Sequence, residues 1–275
     1  MATLDERTRE QQTIWSRGDF HRIGVAQVVV GELLVRELQV HAGERVLDVA
    51  GGAGNTALAA ARRFADVTCS DYVPALLAHA RARADTEGLA MTTRVADAQA
   101  LPFPDASFDV VTSTFGAMFA PDQHATAREL IRVLRPDCRL GLASWTPDSW
   151  VGAQLDLLSR YLPAPSGVTA VEPPTVWGTR EGLESLFAGT VSDLRVTTEC
   201  FDFVHRSTRD LFALFKDSYG PVSTALARLS PADAETFAGE WIALADVHNS
   251  ADDGTCVLRS PYLQVVAVSR QRPSS

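Results

Sequence analysis

The first half of the chain alternates short apolar runs with stretches of helical periodicity, and no other feature restricts its possible folds as strongly. The apolar runs lie at 45–50, 66–71, 91–97, 108–114 and 139–145. Between them, segments such as "NTALAAARRF" and "HATARELIRVLRP" carry alanine, leucine and arginine at helical spacing. Strands that alternate with helices need crossover connections, which build a parallel sheet covered by helices on both faces. We therefore predict an α/β fold with an open, mostly parallel sheet.

The second half of the chain adds two strand-like runs, at 193–204 and 262–270, which bring the predicted sheet to seven strands. Two helical stretches separate these runs, and Ser230 and Pro231 signal a break in the second stretch. A long helical insertion between the last two strands of a sheet is expected to cover one edge. We predict that residues 207–249 form such a helical cap.

The N-terminal region precedes the first strand and has a helical pattern of its own. The pattern is interrupted around Gly18 and Asp19, which predicts two helices. We expect residues 1–40 to form an N-terminal helical lid and residues 41–275 to form the main domain, which includes the cap.

Composition excludes several classes of function. The formal net charge of −9 and a pI of about 5.1 disfavour binding to a nucleic-acid backbone. The polar, acidic N-terminus does not resemble a signal peptide, and no apolar stretch is long enough for a membrane span. The four cysteines are widely spaced, and no cluster of residues predicts a metal site. We expect a cytoplasmic protein without membrane or nucleic-acid partners.

The segment "VLDVAGGAGNTA" joins the first predicted strand to the first helix of the sheet. Gly51, Gly52 and Gly54 allow unusual backbone dihedrals and let a ligand approach the backbone closely. In open parallel sheets, this first strand-to-helix turn is the usual ligand cradle. The sequence therefore predicts a binding site at this turn.

Two classes of cofactor compete for this turn. Residues 52–57 fit the G-x-G-x-x-G/A pattern of dinucleotide sites, and Asp71 has the spacing of a ribose-binding acid. Asp48 lies at the end of the first strand, where its negative charge would repel the pyrophosphate of a dinucleotide. A cofactor that carries an ammonium and a sulfonium would be compatible with this acid.

In these features the sequence resembles the class I S-adenosylmethionine-dependent methyltransferases, from about residue 40 to residue 145. The resemblance implies a Rossmann-like fold and S-adenosylmethionine as the cofactor. In that family an acid precedes the glycine loop, a second acid holds both ribose hydroxyls, and a third lies near the adenine amino group. The segment "ADAQALPFPDASFDVV" carries the third acid and is the most specific part of the match. The resemblance implies the following donor-site residues: Asp48, Ala50, Gly51, Gly52, Gly54, Asp71, Tyr72, Asp97, Ala98 and Ser113.

Three departures from the family pattern are visible. Ala50 replaces the first glycine of the loop, which suggests an altered loop geometry. Asp137 and Cys138 replace the two glycines that usually follow "LRP". The segment "STFGAMF" lacks the Asn-Pro-Pro-aromatic signature of methyltransferases that act on base amino groups.

The resemblance extends to the small-molecule branch that includes the ubiquinone and menaquinone biosynthesis methyltransferases. In that branch an aromatic residue of an N-terminal lid closes on the cofactor, which implies this role for Trp15 or Phe20 in "IWSRGDFHRIG". Packing in the core of an amphipathic helix is the alternative interpretation of both residues.

Candidate residues for catalysis and acceptor binding follow from position in the sequence. His124 comes after the fourth predicted strand and is our first candidate for a base; His21, in the lid, is another candidate near the acceptor. Further candidates for the acceptor site, at which Phe20 is also expected, are Phe115, Met118, Phe119 and Tyr219.

We expect transfer of a methyl group from S-adenosylmethionine to an oxygen, carbon or nitrogen atom of a small metabolite or natural product. Methyl transfer gains much of its rate from alignment and desolvation, so a strong base is optional. One alternative is a donor-binding enzyme of the same fold that catalyses cyclisation or hydroxylation. An NAD-dependent oxidoreductase and a non-catalytic binding protein are the other two alternatives.

Overall fold

The computed structural model describes residues 6–162 and 172–270, and within them it contains a seven-stranded sheet in the order β3-β2-β1-β4-β5-β7-β6. Strands β1 to β5 are parallel, whereas β7 is antiparallel to both of its neighbours. The strands are β1 (Arg45–Val49), β2 (Asp66–Asp71), β3 (Thr92–Val95), β4 (Phe108–Thr114), β5 (Leu134–Trp145), β6 (Val191–His205) and β7 (Cys256–Ser269). The predicted seven-stranded, mostly parallel sheet is confirmed.

Helices cover both faces of this sheet. Successive residues of a strand point to opposite faces, so they pack against different layers of helices. Val46 and Val110 belong to a hydrophobic cluster with residues of the helices at 28–37, 55–61 and 74–87, whereas Leu47 and Val111 belong to a cluster with residues of the helices at 123–133 and 150–159. The α-helices are α1 (Glu6–Trp15), α2 (His21–Gly24), α3 (Val28–Glu37), α4 (Asn55–Ala61), α5 (Pro74–Glu87), α6 (Gln123–Val133), α7 (Trp150–Ser159), α8 (Arg180–Leu186), α9 (Thr208–Ser218), α10 (Gly220–Arg228) and α11 (Pro231–His248). Short 3-10 helices lie at Val25–Gln27, Ala117–Phe119 and Pro174–Gly178.

The prediction for the segment 124–136 was wrong at its C-terminal end. Helix α6 ends at Val133, and β5 begins at Leu134 instead of at residue 139. Pro136 accounts for this difference, because a proline disfavours helical geometry in the residue before it. Asp137 takes a left-handed conformation (φ +57°) where the pairing of β5 with β4 is irregular.

The N-terminal region divides into two parts that pack differently. Helices α1 and α2 are separate, as predicted from the break at Gly18 and Asp19. Helix α3 packs against α4 so closely that a Cβ on Gly31 would lie 3.0 Å from the Cα of Thr56. Helix α3 therefore belongs to the layer of helices that covers the sheet. The described residues 6–27 of the predicted lid lie outside that layer.

Strands β6 and β7 extend beyond the end of β5 as a two-stranded ribbon. The pairing of β5 with β7 ends at Trp145 and Tyr262, whereas β6 and β7 remain paired as far as His205 and Cys256. Helices α9, α10 and α11 occupy the insertion between β6 and β7, and α11 begins at Pro231, where the sequence signals a break.

Two further features bear on the sequence predictions. Within the described ranges, no helix combines the length and the apolar character that crossing a bilayer requires. The same residues contain no group of three or more histidine, cysteine and acidic side chains that could hold a metal ion.

Candidate functional site

A cleft opens at the carboxyl ends of β1, β2 and β4, where the order of the strands reverses. We call the part formed by residues 50–53, Asp71 and Asp97 the loop end, and the part formed by residues 15–27 and Phe119 the lid end. The predicted site residues that line the cleft are Trp15, Phe20, His21, Ala50, Gly51, Gly52, Asp71, Tyr72, Asp97, Ala98, Phe115 and Phe119.

The glycine loop is tightly fixed between β1 and β2. The N–H of Gly51 donates a hydrogen bond to the carbonyl of Ser70, at 2.9 Å. A Cβ on Gly51 would lie 2.5 Å from Oδ2 of Asp48, so only glycine fits at this position. Gly54 has φ +82° at the start of α4 and is not among the residues that line the cleft.

Asp48 lies beneath the loop and does not line the cleft. It is buried, and its carboxylate accepts hydrogen bonds from the Thr112 hydroxyl (2.9 Å) and from the N–H of Ala57 (3.1 Å). Burial raises the pKa of Asp48 to about 7, against the effect of these two bonds. The structure therefore gives Asp48 bonds to β4 and α4, which fix the position of the loop.

Asp71, in contrast, lines the cleft. One of its carboxylate oxygens accepts from the N–H of Gly52 (2.9 Å), and the other accepts from the N–H of Val73 (2.8 Å). Burial raises the pKa of Asp71 to about 6, and the backbone hydrogen bonds oppose this shift. An ionised carboxylate has about four lone-pair positions, so each oxygen can still accept from a ligand hydroxyl.

Asp97 completes the loop end and connects it to the lid. Its carboxylate accepts from the backbone N–H of Gln99 at 2.9 Å and from the Gln99 side chain at 3.0 and 3.2 Å. The same Gln99 amide donates to the hydroxyl of Thr8 in α1 (2.7 Å). Gln12 of α1 donates to the carbonyl of Tyr72 (2.6 Å). These bonds hold α1 beside the loop end.

Two residues that line the cleft have left-handed backbone conformations without being glycine. Ala50 has φ +50° and Phe115 has φ +58°, a conformation that costs about 1 kcal/mol or more for a residue with a Cβ. Gly116 packs against Ala50: a Cβ on Gly116 would overlap the Ala50 carbonyl oxygen and lie 2.6 Å from the Ala50 Cβ. The left-handed conformation of Ala50 alters the loop, as expected, and it fits because Gly116, in the segment that follows β4, has no side chain.

Aromatic side chains form the wall of the lid end. The ring of Trp15 contacts the rings of Phe20, Phe119 and Tyr219 edge to face, at centroid distances of 5.6, 5.0 and 5.5 Å. Tyr219 lies behind this wall; it is buried and does not line the cleft. The contacts join the lid, the segment after β4 and the cap.

Polar groups at the lid end have few partners. The imidazole of His21 stacks on that of His79, and its buried Nδ1 has no hydrogen-bond partner among the described residues. Burial lowers the pKa of His21, as do His79 and Arg83, while Asp19 opposes the shift. Gln27 is only 6% exposed, lines the cleft and makes no side-chain hydrogen bond to any residue that the structure describes.

Some predicted residues lie elsewhere. His124 does not line the cleft; its side chain is about half exposed, and its Nε2 lies 3.8 Å from a carboxylate oxygen of Glu172. Ser113 is buried behind the cleft, where its hydroxyl donates to the carbonyl of Val49 and accepts from the N–H of Ala117. Met118 is buried in the core.

The cleft also contains residues that the sequence analysis did not single out. Asn55 and Thr56 directly follow the glycine loop, so the motif itself could have indicated them. Thr56 shares a hydrogen bond of 2.8 Å with the hydroxyl of Thr114. Gln27 interrupts an apolar stripe that continues through Val30 and Leu34, and a polar residue in such a stripe is a recognisable signal.

Comparison with known proteins agrees with this geometry. A family profile described as "Methyltransferase domain" matches residues 46–137. An uncharacterized protein of Mycobacterium tuberculosis is 37% identical over 237 residues, which cover 82% of this chain and 85% of that protein. The demethylmenaquinone methyltransferase of Thermus thermophilus is 43% identical over 106 residues, which cover 38% of this chain and 48% of that enzyme.

Among solved structures, the YcgJ protein of Bacillus subtilis has a similar fold. It superposes with a TM-score of 0.59 and 22% identity, and the match covers 87% of this chain and 97% of YcgJ.

Proposed function

Because the chain belongs to the class I S-adenosylmethionine-dependent methyltransferases, we propose that its cleft binds S-adenosylmethionine and that the acceptor is a small, largely apolar molecule. The loop end binds the donor, and the lid end binds the acceptor. The acidic character of the chain supports a small-molecule acceptor rather than a nucleic acid.

The observation that carries this proposal is the carboxylate of Asp71. It is 7% exposed, lines the cleft and is held by two backbone amides, although burial raises its pKa to about 6. A carboxylate that is costly to bury and still has free lone pairs suits a ligand diol such as a ribose. Asp97 lies at the same end and is oriented by Gln99 for a second polar group of the donor.

The remaining loop residues fit a donor that lies against the backbone. Gly51 and Gly52 present no side chain to the cleft, and Ala98 and Tyr72 contribute the adjoining wall. When bound, the donor supplies a methyl group on a sulfonium centre. Trp15 and Phe20 cover the cleft with apolar surface, which excludes water and favours transfer.

At the lid end, Phe20, Phe115 and Phe119 form the surface for the acceptor, and Tyr219 supports it from behind through its contact with Trp15. His21 is the histidine that lines the cleft, so we propose that it, rather than His124, faces the acceptor. Burial keeps the pKa of His21 below its ordinary value, so its imidazole is neutral near pH 7 and can accept a hydrogen bond.

Calorimetric titration of the purified protein tests the donor site. We expect S-adenosylmethionine and S-adenosylhomocysteine to bind with micromolar dissociation constants and NAD not to bind. Binding of NAD with no response to either sulfur compound would overturn the proposal and favour the oxidoreductase alternative.

Product analysis separates methyl transfer from other chemistry on the same fold. Incubation with S-adenosylmethionine and a panel of aromatic alcohols and amines should yield S-adenosylhomocysteine together with a methylated product. Conversion of an acceptor without consumption of the donor would instead support cyclisation or hydroxylation.

A further inference from the structure

One hydrogen bond joins the lid to the helix that follows the glycine loop. The side-chain amide of Asn55 donates to the backbone carbonyl of Gly24, at 2.7 Å. Asn55 is the first residue of α4 and directly follows Gly54, and both Asn55 and Gly24 line the cleft. The bond therefore connects the part of the cleft wall that belongs to the lid with the part that follows the loop.

Arg83 of α5 orients the side chain of Asn55. One guanidinium nitrogen of Arg83 donates to the side-chain carbonyl of Asn55 and to the backbone carbonyl of Ala53, at 2.7 Å in each case. A guanidinium group has donors only, and a backbone carbonyl accepts only. The oxygen of the Asn55 amide must therefore face Arg83, and its nitrogen must face Gly24. The same arginine thus fixes the loop at Ala53 and orients the contact to the lid.

Helix α5 contacts the lid at a second, weaker point. Nε2 of His79 lies 3.3 Å from a carboxylate oxygen of Asp19, and the two side chains are 42% and 40% exposed. His79 and Arg83 are four residues apart, so they lie on one face of α5. Exposed ion pairs contribute little to stability, whereas the hydrogen bond of Asn55 is partly buried. The Asn55 contact is therefore the stronger of the two.

Helix α2, which ends at Gly24, lies between two interruptions of the helical backbone. Gly18 precedes it with φ +70°, and the 3-10 helix Val25–Gln27 separates it from α3. A 3-10 stretch between α-helices often marks a hinge. Helix α3 is held by its packing against α4, where a Cβ on Gly31 would lie 3.0 Å from the Cα of Thr56. Helix α2 can therefore open locally without displacing α3.

The other contacts of this segment are made by an aromatic ring. Phe20 directly precedes α2, and its ring lies 6.1 Å from that of Tyr219 in the cap and 5.6 Å from that of Trp15. The segment therefore bridges the cap and α4. Its contact with α4 is a directional hydrogen bond, so this bond determines how closely α2 lies to the glycine loop.

We propose that Asn55, oriented by Arg83, is a positioning residue that holds α2 against the loop, and that the donor enters and leaves when α2 opens. The bond between Asn55 and Gly24 breaks in the open state, whereas α3 keeps its contacts. This inference rests on the proposed function, because it takes the ligand of the loop end to be the donor.

Asn55→Asp is the diagnostic variant, because it replaces a single nitrogen atom with oxygen. The carboxylate keeps an acceptor for Arg83 but has no N–H to donate to Gly24. The new negative charge lies beside a guanidinium group and at the start of a helix, and both favour it, so the variant should fold.

Asn249→Asp is the matched control. The Asn249 side chain also donates to a backbone carbonyl, that of Thr255 (2.8 Å), and its oxygen accepts from the N–H groups of Ala251 (3.2 Å) and Val257 (2.8 Å). It lies between α11 and β7 and does not line the cleft. The substitution there should change neither the opening of α2 nor the binding of the donor.

Amide hydrogen exchange of the ligand-free protein tests the hold on α2. We expect Asn55→Asp to raise the exchange rate of residues 21–24 about tenfold, the effect of one lost hydrogen bond on a local opening equilibrium. Exchange in α3 should stay unchanged. Unchanged exchange at residues 21–24 would overturn the proposal. An equal increase in α3 would also overturn it, because the substitution would then have loosened the structure in general.

The kinetics of S-adenosylhomocysteine binding, measured by surface plasmon resonance, test the role of α2 in exchange of the donor. We expect Asn55→Asp to raise both the association and the dissociation rate constants, the latter about tenfold, because α2 opens more readily. A faster dissociation with unchanged association would mean that Asn55 contacts the donor directly, and the positioning role would be wrong. Unchanged kinetics would also contradict it.

A double-mutant cycle tests whether Arg83 acts through Asn55. Arg83→Met should raise the exchange rate of residues 21–24 as Asn55→Asp does, and the double variant should add no further increase. Additive increases would show that Arg83 does not orient Asn55.

The outcomes distinguish this inference from the proposed function. If the unmodified protein binds no S-adenosylhomocysteine, the proposed donor site fails, and with it the role of α2 in donor exchange. If S-adenosylhomocysteine binds and Asn55→Asp changes neither hydrogen exchange nor binding kinetics, the donor site stands and the positioning role of Asn55 is wrong.

Discussion

The two ends of the cleft satisfy their polar groups in different ways. At the loop end, Asp71 and Asp97 are bonded to backbone amides, and Asp48 fixes the loop from beneath. At the lid end, ring contacts hold the wall together, while the buried Nδ1 of His21 has no hydrogen-bond partner and the Gln27 side chain bonds to no residue that the structure describes. Backbone-bonded groups recognise one fixed ligand, whereas free side chains on a separate helical segment can be exchanged to fit different acceptors. The difference matches a common donor and a variable acceptor.

The largest effect is expected at Asp71. Asp71→Ala removes a charged acceptor from the loop end, and hydrogen bonds to charged groups contribute about 1.5–3 kcal/mol each. We expect calorimetry to show about 100-fold weaker binding of S-adenosylhomocysteine. Asp66→Ala, at the exposed start of the same strand, is the control and should bind normally. A loss of less than threefold for Asp71→Ala would remove the basis for assigning the donor to the loop end.

The next effect tests how tightly the loop end is packed. A Cβ on Gly116 would overlap the carbonyl oxygen of Ala50, so Gly116→Ala should lower the free energy of unfolding by about 2 kcal/mol in urea titrations. Gly239→Ala is the control, because a Cβ there would contact nothing within 4 Å. That substitution, within α11, should stabilise the protein by up to about 1 kcal/mol. Equal behaviour of the two variants would show that the loop end is not rigid.

A smaller effect concerns the pH dependence contributed by Asp48. Its pKa is raised to about 7 in the folded protein from an ordinary value of 3.8. The folded state therefore holds a proton that the unfolded state releases, so this group makes folding more favourable as the pH falls through 7. Asp71 titrates in the same direction, and Asp48→Asn removes only the contribution of Asp48.

Urea titrations of the ligand-free protein at pH 8 and pH 6 measure this contribution. The unmodified protein should gain about 1 kcal/mol more than Asp48→Asn on going from pH 8 to pH 6. Because Asp48 does not line the cleft, Asp48→Asn should also bind S-adenosylhomocysteine within threefold of the unmodified protein. A loss as large as that of Asp71→Ala would mean that Asp48 contacts the donor's ammonium, as its position in the sequence first suggested.

The smallest effect is expected at the lid end and has the opposite sign. Gln27→Leu replaces an unpartnered amide with an apolar side chain in the stripe of Val30 and Leu34. We expect the free energy of unfolding of the ligand-free protein to rise by about 0.5 kcal/mol. A clear loss of stability would show that the amide is already satisfied, and the contrast between the two ends would then disappear.

The sequence predicted the sheet because each strand carries its own local signal. The bounds of β1, β2 and β4 agree with the apolar runs to within one residue. The start of β5 was predicted too late because helical spacing continues into "VLRP", so that the helix was expected to run up to Pro136 although it ends at Val133. Local pattern and local breakers thus fixed most of the fold, and errors arose where the two signals overlapped.

The site was predictable only where a motif contains it. The residues of the glycine loop, Asp71 and Asp97 lie on consecutive strand ends, and most of them reach the cleft. Met118 and Phe119 are neighbours in one 3-10 helix, yet Met118 packs into the core and Phe119 faces the cleft. Such directions depend on tertiary packing, which periodicity over three residues does not reveal. The same limit explains why His124 was ranked above His21.

The ribbon formed by β6 and β7 has a consequence for engineering. Its last cross-strand pair joins His205 to Cys256, so the segment that carries α9, α10 and α11 leaves and re-enters the sheet at facing positions. A segment with adjacent ends can be exchanged between related proteins as a cassette, provided that its contacts with the rest of the chain, such as those of Tyr219 with Trp15 and of Trp241 with Trp150, are kept as well. Chimeras joined at this pair would transplant an entire cap onto an unaltered sheet.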